Sequence, residues 1–88
     1  MDRTNEALTA AFAAVLGRRR RAAGLTQEQL AETADVSARF IALLETRRRQ
    51  PTLTMMAALS DGLGITLTEF AGEVEMTWRA AGDVVVPE

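Results

Sequence analysis

Two helix-start signals stand only eleven residues apart in this chain, and that spacing constrains its fold more than any other feature. The first is Thr26-Gln27-Glu28-Gln29, a capping box in which the Thr26 hydroxyl takes a backbone amide and the Gln29 side chain reaches back to Thr26. Leu25 before the cap and Leu30 inside the turn are placed as a hydrophobic staple. The second signal is Ser37, an N-cap with Val36 and Ile41 again at staple spacing. A helix from Gln27 to about Ala34 fits between them, and Asp35-Val36 leaves almost no room for a loop. Aspartate is one of the few non-glycine residues that tolerates the left-handed backbone such a turn needs. A further helix should start at Ala38 and run to about Thr46.

The same grammar extends both ways. Leu8, Ala11, Phe12, Val15 and Leu16 recur at helical spacing, which predicts a first helix from about Asn5 to Ala23, stopped by Gly24. Arg47–Gln50 reads as a basic loop ended by Pro51. Thr52 caps a fourth helix with an expected inward face of Leu53, Met56, Ala57, Leu59 and Leu63, and Gly64 stops it. Thr66-Leu67-Thr68-Glu69 is a second capping box, stapled by Ile65 and Phe70, so a short fifth helix covers about Leu67–Ala71. Beyond Gly72 the signal fades. Val74, Met76 and Trp78 alternate with polar residues and Val84–Val86 is β-branched, which suits a strand, a helix extension or a tail. The expected fold is all-α: a compact five-helix domain over residues 1–72, with a C-terminal extension, 73–88, of open structure and possible use in dimerisation.

Composition removes several functional classes. The chain has no cysteine and no histidine, so a disulfide framework and the usual zinc ligands are out of reach, and no metal or cofactor is expected. No recognisable pair of carboxylates, phosphate loop or nucleophile points to an enzyme. The apolar runs Ala10–Leu16 and Met55–Leu59 are too short to span a bilayer, and Met1–Glu6 lacks the features of a signal peptide, so the expected location is cytoplasmic. The net charge of −2 looks wrong for a partner of nucleic acid. Its distribution answers the objection. Residues 1–49 hold nine arginines against six acids, whereas residues 50–88 hold one arginine against six acids.

Two short helices with a tight turn, flanked by basic segments, describe a helix-turn-helix unit over about 27–46. The segments that carry it are Gly24-Leu25-Thr26-Gln27-Glu28-Gln29-Leu30-Ala31, Val36-Ser37, Ile41 with Leu44-Glu45, Arg48-Arg49-Gln50-Pro51-Thr52-Leu53, Leu63-Gly64-Ile65 and Leu67-Thr68-Glu69-Phe70. In order and without gaps over roughly residues 12–71, they resemble the Cro and lambda-repressor-like (XRE-type) helix-turn-helix regulators. The resemblance implies a five-helix bundle that binds an operator in double-stranded DNA as a homodimer.

It also implies roles by position. Gln27 matches a glutamine that holds a phosphate, though it could also simply face solvent in the capping turn. Ser37, Ala38, Arg39 and Leu43 match positions facing the major groove, and of these only Arg39 can make a bidentate contact to guanine. Ala38 and Leu43 could offer apolar contact, and Leu43 could instead pack on protein. Arg47, Arg48 and Arg49 sit where the family's loop runs beside the DNA backbone, and Phe40 either packs on that backbone or stays partly buried. Arg20 and Glu45 match an ion pair linking the first and third helices. Arg18, Arg19 and Arg21 could track phosphate or only solvate a helix face. Three residues depart from the pattern: Asp35 and Arg47 stand where glycine is common, and Arg19 where an apolar residue is expected.

The expected dimer surface is Phe70, Val74, Met76 and Trp78, with Trp78 alternatively capping the monomer core. The implied function is a small stand-alone regulator, either a Cro-like repressor or a restriction-modification controller. Two alternatives are the antitoxin of a toxin–antitoxin pair, with a protein partner, and an interaction module that does not bind DNA. No small-molecule effector is expected.

Overall fold

The computed structural model describes residues 3–83, so the Val84–Val86 run and the first two residues lie outside the described part. Within it the helices are α1 (Arg3–Ala22), α2 (Gln27–Ala34), α3 (Ala38–Glu45), α4 (Leu53–Leu63) and α5 (Leu67–Asp83). No strand occurs among the described residues.

Each of the last four helices starts on a hydroxyl cap. The Thr26 Oγ1 accepts the Gln29 amide at 3.0 Å while Gln29 Oε1 accepts the Thr26 amide at 2.9 Å. Thr66 and Glu69 close the second box, with both bonds at 2.9 Å. Ser37 and Thr52 accept the amides of Phe40 and Met55, each at 3.0 Å. A cap of this kind stabilises its helix by about 1 kcal/mol, because it satisfies a donor that has no partner inside the helix.

The helix ends α1 to α4 share one lock. The amides of Gly24 and Leu25 bond back to Arg21 and Arg20, those of Asp35 and Val36 to Glu32 and Ala31, those of Arg47 and Arg48 to Leu44 and Leu43, and those of Gly64 and Ile65 to Asp61 and Ser60. This is the Schellman pattern, and it requires a left-handed residue just past the helix. Gly24, Asp35, Arg47 and Gly64 supply it, with φ of 74°, 61°, 67° and 75°. Three of the residues that follow, Leu25, Val36 and Ile65, pack against the core.

That core is built from Phe12, Val15, Leu16, Leu30, Ile41, Leu44, Leu59 and Phe70, all almost fully buried. Each such side chain contributes about 1.5–3 kcal/mol of transfer free energy. The rings of Phe12 and Phe70 meet with centroids 5.6 Å apart and tie α1 to α5. Gly62 lets α4 come close to α2, since a Cβ there would sit 3.0 Å from Leu30 Cδ1. The buried Ser60 hydroxyl donates to the Met56 carbonyl at 2.8 Å, so it leaves no unmet polar atom in the core.

Two expectations change. The fifth helix does not stop near Ala71 but continues to Asp83, passing unbroken through residues 72 and 73. Phe70, Val74 and Trp78 are four residues apart, and this helical stripe lies along α1; the alternation that suggested a strand is a by-product of Met76 facing outward. Leu53, expected inward, is 74% exposed at the first turn of α4. Arg19, which stands at a position expected to be apolar, is accommodated by an ion pair with Glu73 of α5, and Arg18 approaches the same carboxylate at 3.8 Å. The bond from Arg19 holds the Glu73 carboxyl below the usual carboxylate range, and Glu73 in turn raises the Arg19 guanidinium.

Candidate nucleic-acid interface

The site is assembled from α3, the N-terminus of α2 and the loop that follows α3. Ile41 and Leu44 anchor α3 in the core, which fixes which of its residues face outward. Arg39 is exposed on the first turn, two residues after the Ser37 cap. Ser37 is exposed too; its oxygen accepts the Phe40 amide, which leaves the hydroxyl donor and one acceptor lone pair. Ala38 and Phe40 are half-buried and pack against the core; Leu43 is half-buried on the next turn. Phe40, expected either on the DNA backbone or partly buried, is half-buried in the free chain.

The far end of α3 is held by a bidentate pair. Arg20 Nε and Nη2 donate to Glu45 Oε2 and Oε1 at 2.6 and 3.1 Å, and Arg20 Nη1 donates to the Leu25 carbonyl at 2.8 Å. The two side chains are only 14% and 10% exposed. The Glu45 bonds raise the Arg20 guanidinium above its already basic ordinary value. Removing either partner would strand a charge in a mostly dry setting.

Sequence reasoning missed a third member of this group. Gln27 Nε2 donates to Glu45 Oε1 at 3.1 Å. A carboxylate only accepts, so the amide nitrogen must face it. One N–H of Gln27 remains, beside backbone amides at the start of α2 that have no acceptor within the helix. The Arg20–Glu45 pair and Gln27, the residue expected to hold a phosphate, are therefore one network spanning α1, α2 and α3. No spacing rule would have joined Gln27 to Glu45, which are eighteen residues apart.

Past α3, Arg47, Arg48 and Arg49 are all exposed. Arg47 takes the left-handed position directly, although no glycine is present. Arg48 occupies the place where the other three turns carry an apolar residue against the core, and its side chain goes to solvent instead. Arg21 bends over Gly17, its Nη1 lying 3.1 Å from where a Cβ would be. Arg18 and Arg19, which could have tracked phosphate, are turned toward Glu73. Of the four residues expected at a dimer surface, Phe70 and Val74 are buried inside the monomer, which withdraws them from any surface of the folded chain. Trp78 is half-buried on the core with the Arg79 guanidinium 4.7 Å above its ring, and only Met76 is freely presented, at 74% exposure. No cluster of metal-ligating side chains occurs among the described residues, and no described helix is long and apolar enough to cross a membrane.

A short exposed helix presented by a tight turn, with arginines at both ends, defines a DNA-binding helix-turn-helix protein. The chain belongs to the XRE-type helix-turn-helix family of transcription regulators: the family model described as "Helix-turn-helix" matches residues 16–70. Among solved structures it is similar to the clp gene regulator ClgR from Corynebacterium glutamicum, with 26% identity and a TM-score of 0.78 over 89% of this chain and 85% of that one. It is also similar to the restriction-modification controller protein C.Esp1396I, at 23% identity and a TM-score of 0.74 over 80% of this chain and 92% of that one. The tetramer of that controller in complex with its natural 35 base-pair operator gives 22% identity and a TM-score of 0.75, over 81% and 93%. The two controller structures establish the shared fold. Among curated proteins none matches.

Proposed function

We propose that this chain binds a pseudo-palindromic operator as a homodimer, acting in the cytoplasm as a small repressor or controller. Two recognition helices would enter successive major grooves about 34 Å apart. The observation that carries the reading is the placement of Arg39: an exposed guanidinium on the first turn of a helix whose other face is locked by Ile41, Leu44 and the Arg20–Glu45 pair. In this reading Arg39 reads a guanine edge, Ser37 and Leu43 border the same bases, and Ala38 contributes only the small exposed part of its methyl. Gln27, Arg47, Arg48 and Arg49 hold phosphates and set the register.

Fluorescence anisotropy on a duplex selected from random DNA tests it. The selected site should bind at least about a thousandfold tighter than scrambled duplex. Arg39→Ala should lose about 1–3 kcal/mol and relax the preference at one base pair, whereas Arg48→Ala should weaken all duplexes alike and lower the salt slope by about one. Failure of selection to enrich any sequence would refute the operator reading.

A further inference from the structure

Among the arginines whose side chains are described, Arg21 alone is used neither by the fold nor by the proposed DNA contacts. Arg18, Arg19, Arg20 and Arg79 are paired with carboxylates. Arg39, Arg47, Arg48 and Arg49 are assigned to DNA. Arg21 is exposed, and its guanidinium makes no hydrogen bond or ion pair among the described residues.

Its placement is nevertheless specific. Helical side chains lean back toward the N-terminus, and the Arg21 guanidinium lies over Gly17, one turn earlier. Its Nη1 and Nη2 are 3.1 and 3.5 Å from where a Cβ on Gly17 would be. Glycine inside a helix weakens it; at this position it seats a guanidinium against the backbone of α1. The seat borders a recess of about 340 Å³ between α1 and the end of α3. Small residues of α1 line it (Ala10, Ala13, Ala14, Gly17), together with three charged ones, Arg21, Glu45 and Arg47.

The charges in the recess do not cancel. Glu45 is already met by two bonds from Arg20 and one from Gln27. Arg47, like Arg21, has no acidic partner among the described residues. Two positive charges are therefore left unmatched. The α1 side adds only methyl groups and backbone, with no side-chain donor or acceptor able to read a base edge. Such a surface admits an anionic chain closely and recognises its charge alone, which is how proteins hold a sugar–phosphate backbone. The recess is also continuous with the surface assigned to DNA. Arg47 belongs to both, and Glu45 connects it through Gln27 to the start of α2. An acidic polypeptide would match the charge as well, but it would compete for Arg47 with the strand that the α3 loop holds.

We infer that this recess receives a phosphate of the DNA strand passing the Arg47 loop, with Arg21 and Arg47 as its two cations. Helix α1 then touches DNA itself, in addition to carrying the core. The inference rests on the DNA-binding reading and adds to it a contact that carries no sequence information.

Salt titrations of duplex binding by the full chain test it, on wild type, Arg21→Ala, Arg21→Lys and Ala14→Glu, with circular dichroism and thermal melts of each. Arg21→Ala should keep its helical signal, bind selected and scrambled duplexes about tenfold more weakly at about 0.1 M salt, and lower the salt slope by about 0.9. Arg21→Lys should regain that slope, because the slope counts charges and not packing. Ala14→Glu places a negative charge at an exposed position of the recess and should weaken all duplexes by about tenfold without lowering the melting temperature. A neutral methylphosphonate stepped along the duplex should, at one position, weaken wild type about fivefold more than Arg21→Ala. A slope in Arg21→Ala within about 0.3 of wild type overturns the assignment while leaving DNA binding intact. So does a slope that Arg21→Lys does not regain, or affinity in Ala14→Glu within about twofold of wild type. A wild type that binds no duplex at about 100 µM overturns both.

Discussion

The turns that close α1 and α4 and the turns on either side of α3 share one backbone design but differ in the residue at its strained position. After α1 and α4 that position is glycine, Gly24 and Gly64, which adopts left-handed backbone at no steric cost. Around α3 it is Asp35 and Arg47. For an L-residue with a side chain the left-handed well costs roughly 1–2 kcal/mol, less for aspartate, which bonds locally. The hydrogen bonds are the same in all four turns, so the difference does not come from the way the chain must bend. It lies in what the side chain does once the bend is made. Where the turn is only a connection the chain uses glycine; where it borders the helix proposed to enter DNA, it keeps a charge.

The contact that joins the two kinds of turn should show the largest effect when removed. Arg20 grips the Leu25 carbonyl just past the Gly24 turn and Glu45 just before the Arg47 turn. Arg20→Ala leaves the Glu45 carboxylate mostly buried without its cation, and should cost about 3–5 kcal/mol. In urea the midpoint should fall with little change in slope. A loss below about 1 kcal/mol would mean the pair behaves as a surface contact, and that the α3 turn is positioned by its own cap alone.

Next in size are two substitutions that exchange the turns' characters. Gly64→Ala puts a methyl group on a left-handed residue and should destabilise the fold by about 1–2 kcal/mol. Arg47→Gly should do the reverse but gain less than about 1 kcal/mol, because glycine also adds freedom to the unfolded chain. The same variant should bind every duplex more weakly, with a salt slope lowered by about one. Higher stability together with weaker binding is the signature of strain kept for function. If Arg47→Gly bound DNA as tightly as wild type, the contrast between the turns would lose its functional meaning.

Much of this was readable in the sequence because it is local. Thr26, Ser37, Thr52 and Thr66 announce helix starts through bonds to residues three positions on, and all four are made. The left-handed geometry at Asp35 follows from the lack of room between two caps. What could not be read depends on long-range packing. The length of α5 is decided by the stripe of Phe70, Val74 and Trp78 on α1, and by Glu73 meeting Arg19 across fifty-four residues. A charge at an expected apolar position on α1 was the visible half of that signal; its partner on α5 lay in a stretch whose alternation suited a strand equally well. Leu53 satisfies the helical period of α4 but sits at its first turn, past the edge of the core, so periodicity alone misplaced it. The Gln27–Glu45 bond exists only because α2 and α3 cross, which no one-dimensional pattern encodes.

The smallest expected effect isolates charge from backbone at the other flank of α3. Asp35→Asn keeps a residue that tolerates left-handed geometry and removes only the charge. Asp35 ends α2, where the helix dipole is negative, so neutralising it should raise stability by about 0.3–1 kcal/mol. It is exposed and lies two residues ahead of the Ser37 cap, beside the helix proposed to enter DNA. Loss of a negative charge there should strengthen binding to all duplexes at low salt, and the gain should shrink as salt rises and the Debye length falls to about 10 Å or less. Asp35→Gly, which also relieves the backbone, then gives the conformational part by difference. Weaker binding in Asp35→Asn, confined to one base pair, would reverse the interpretation. The carboxylate would then be accepting a hydrogen bond from a cytosine amine, and the Asp35 turn would read bases while the Arg47 turn holds only phosphate.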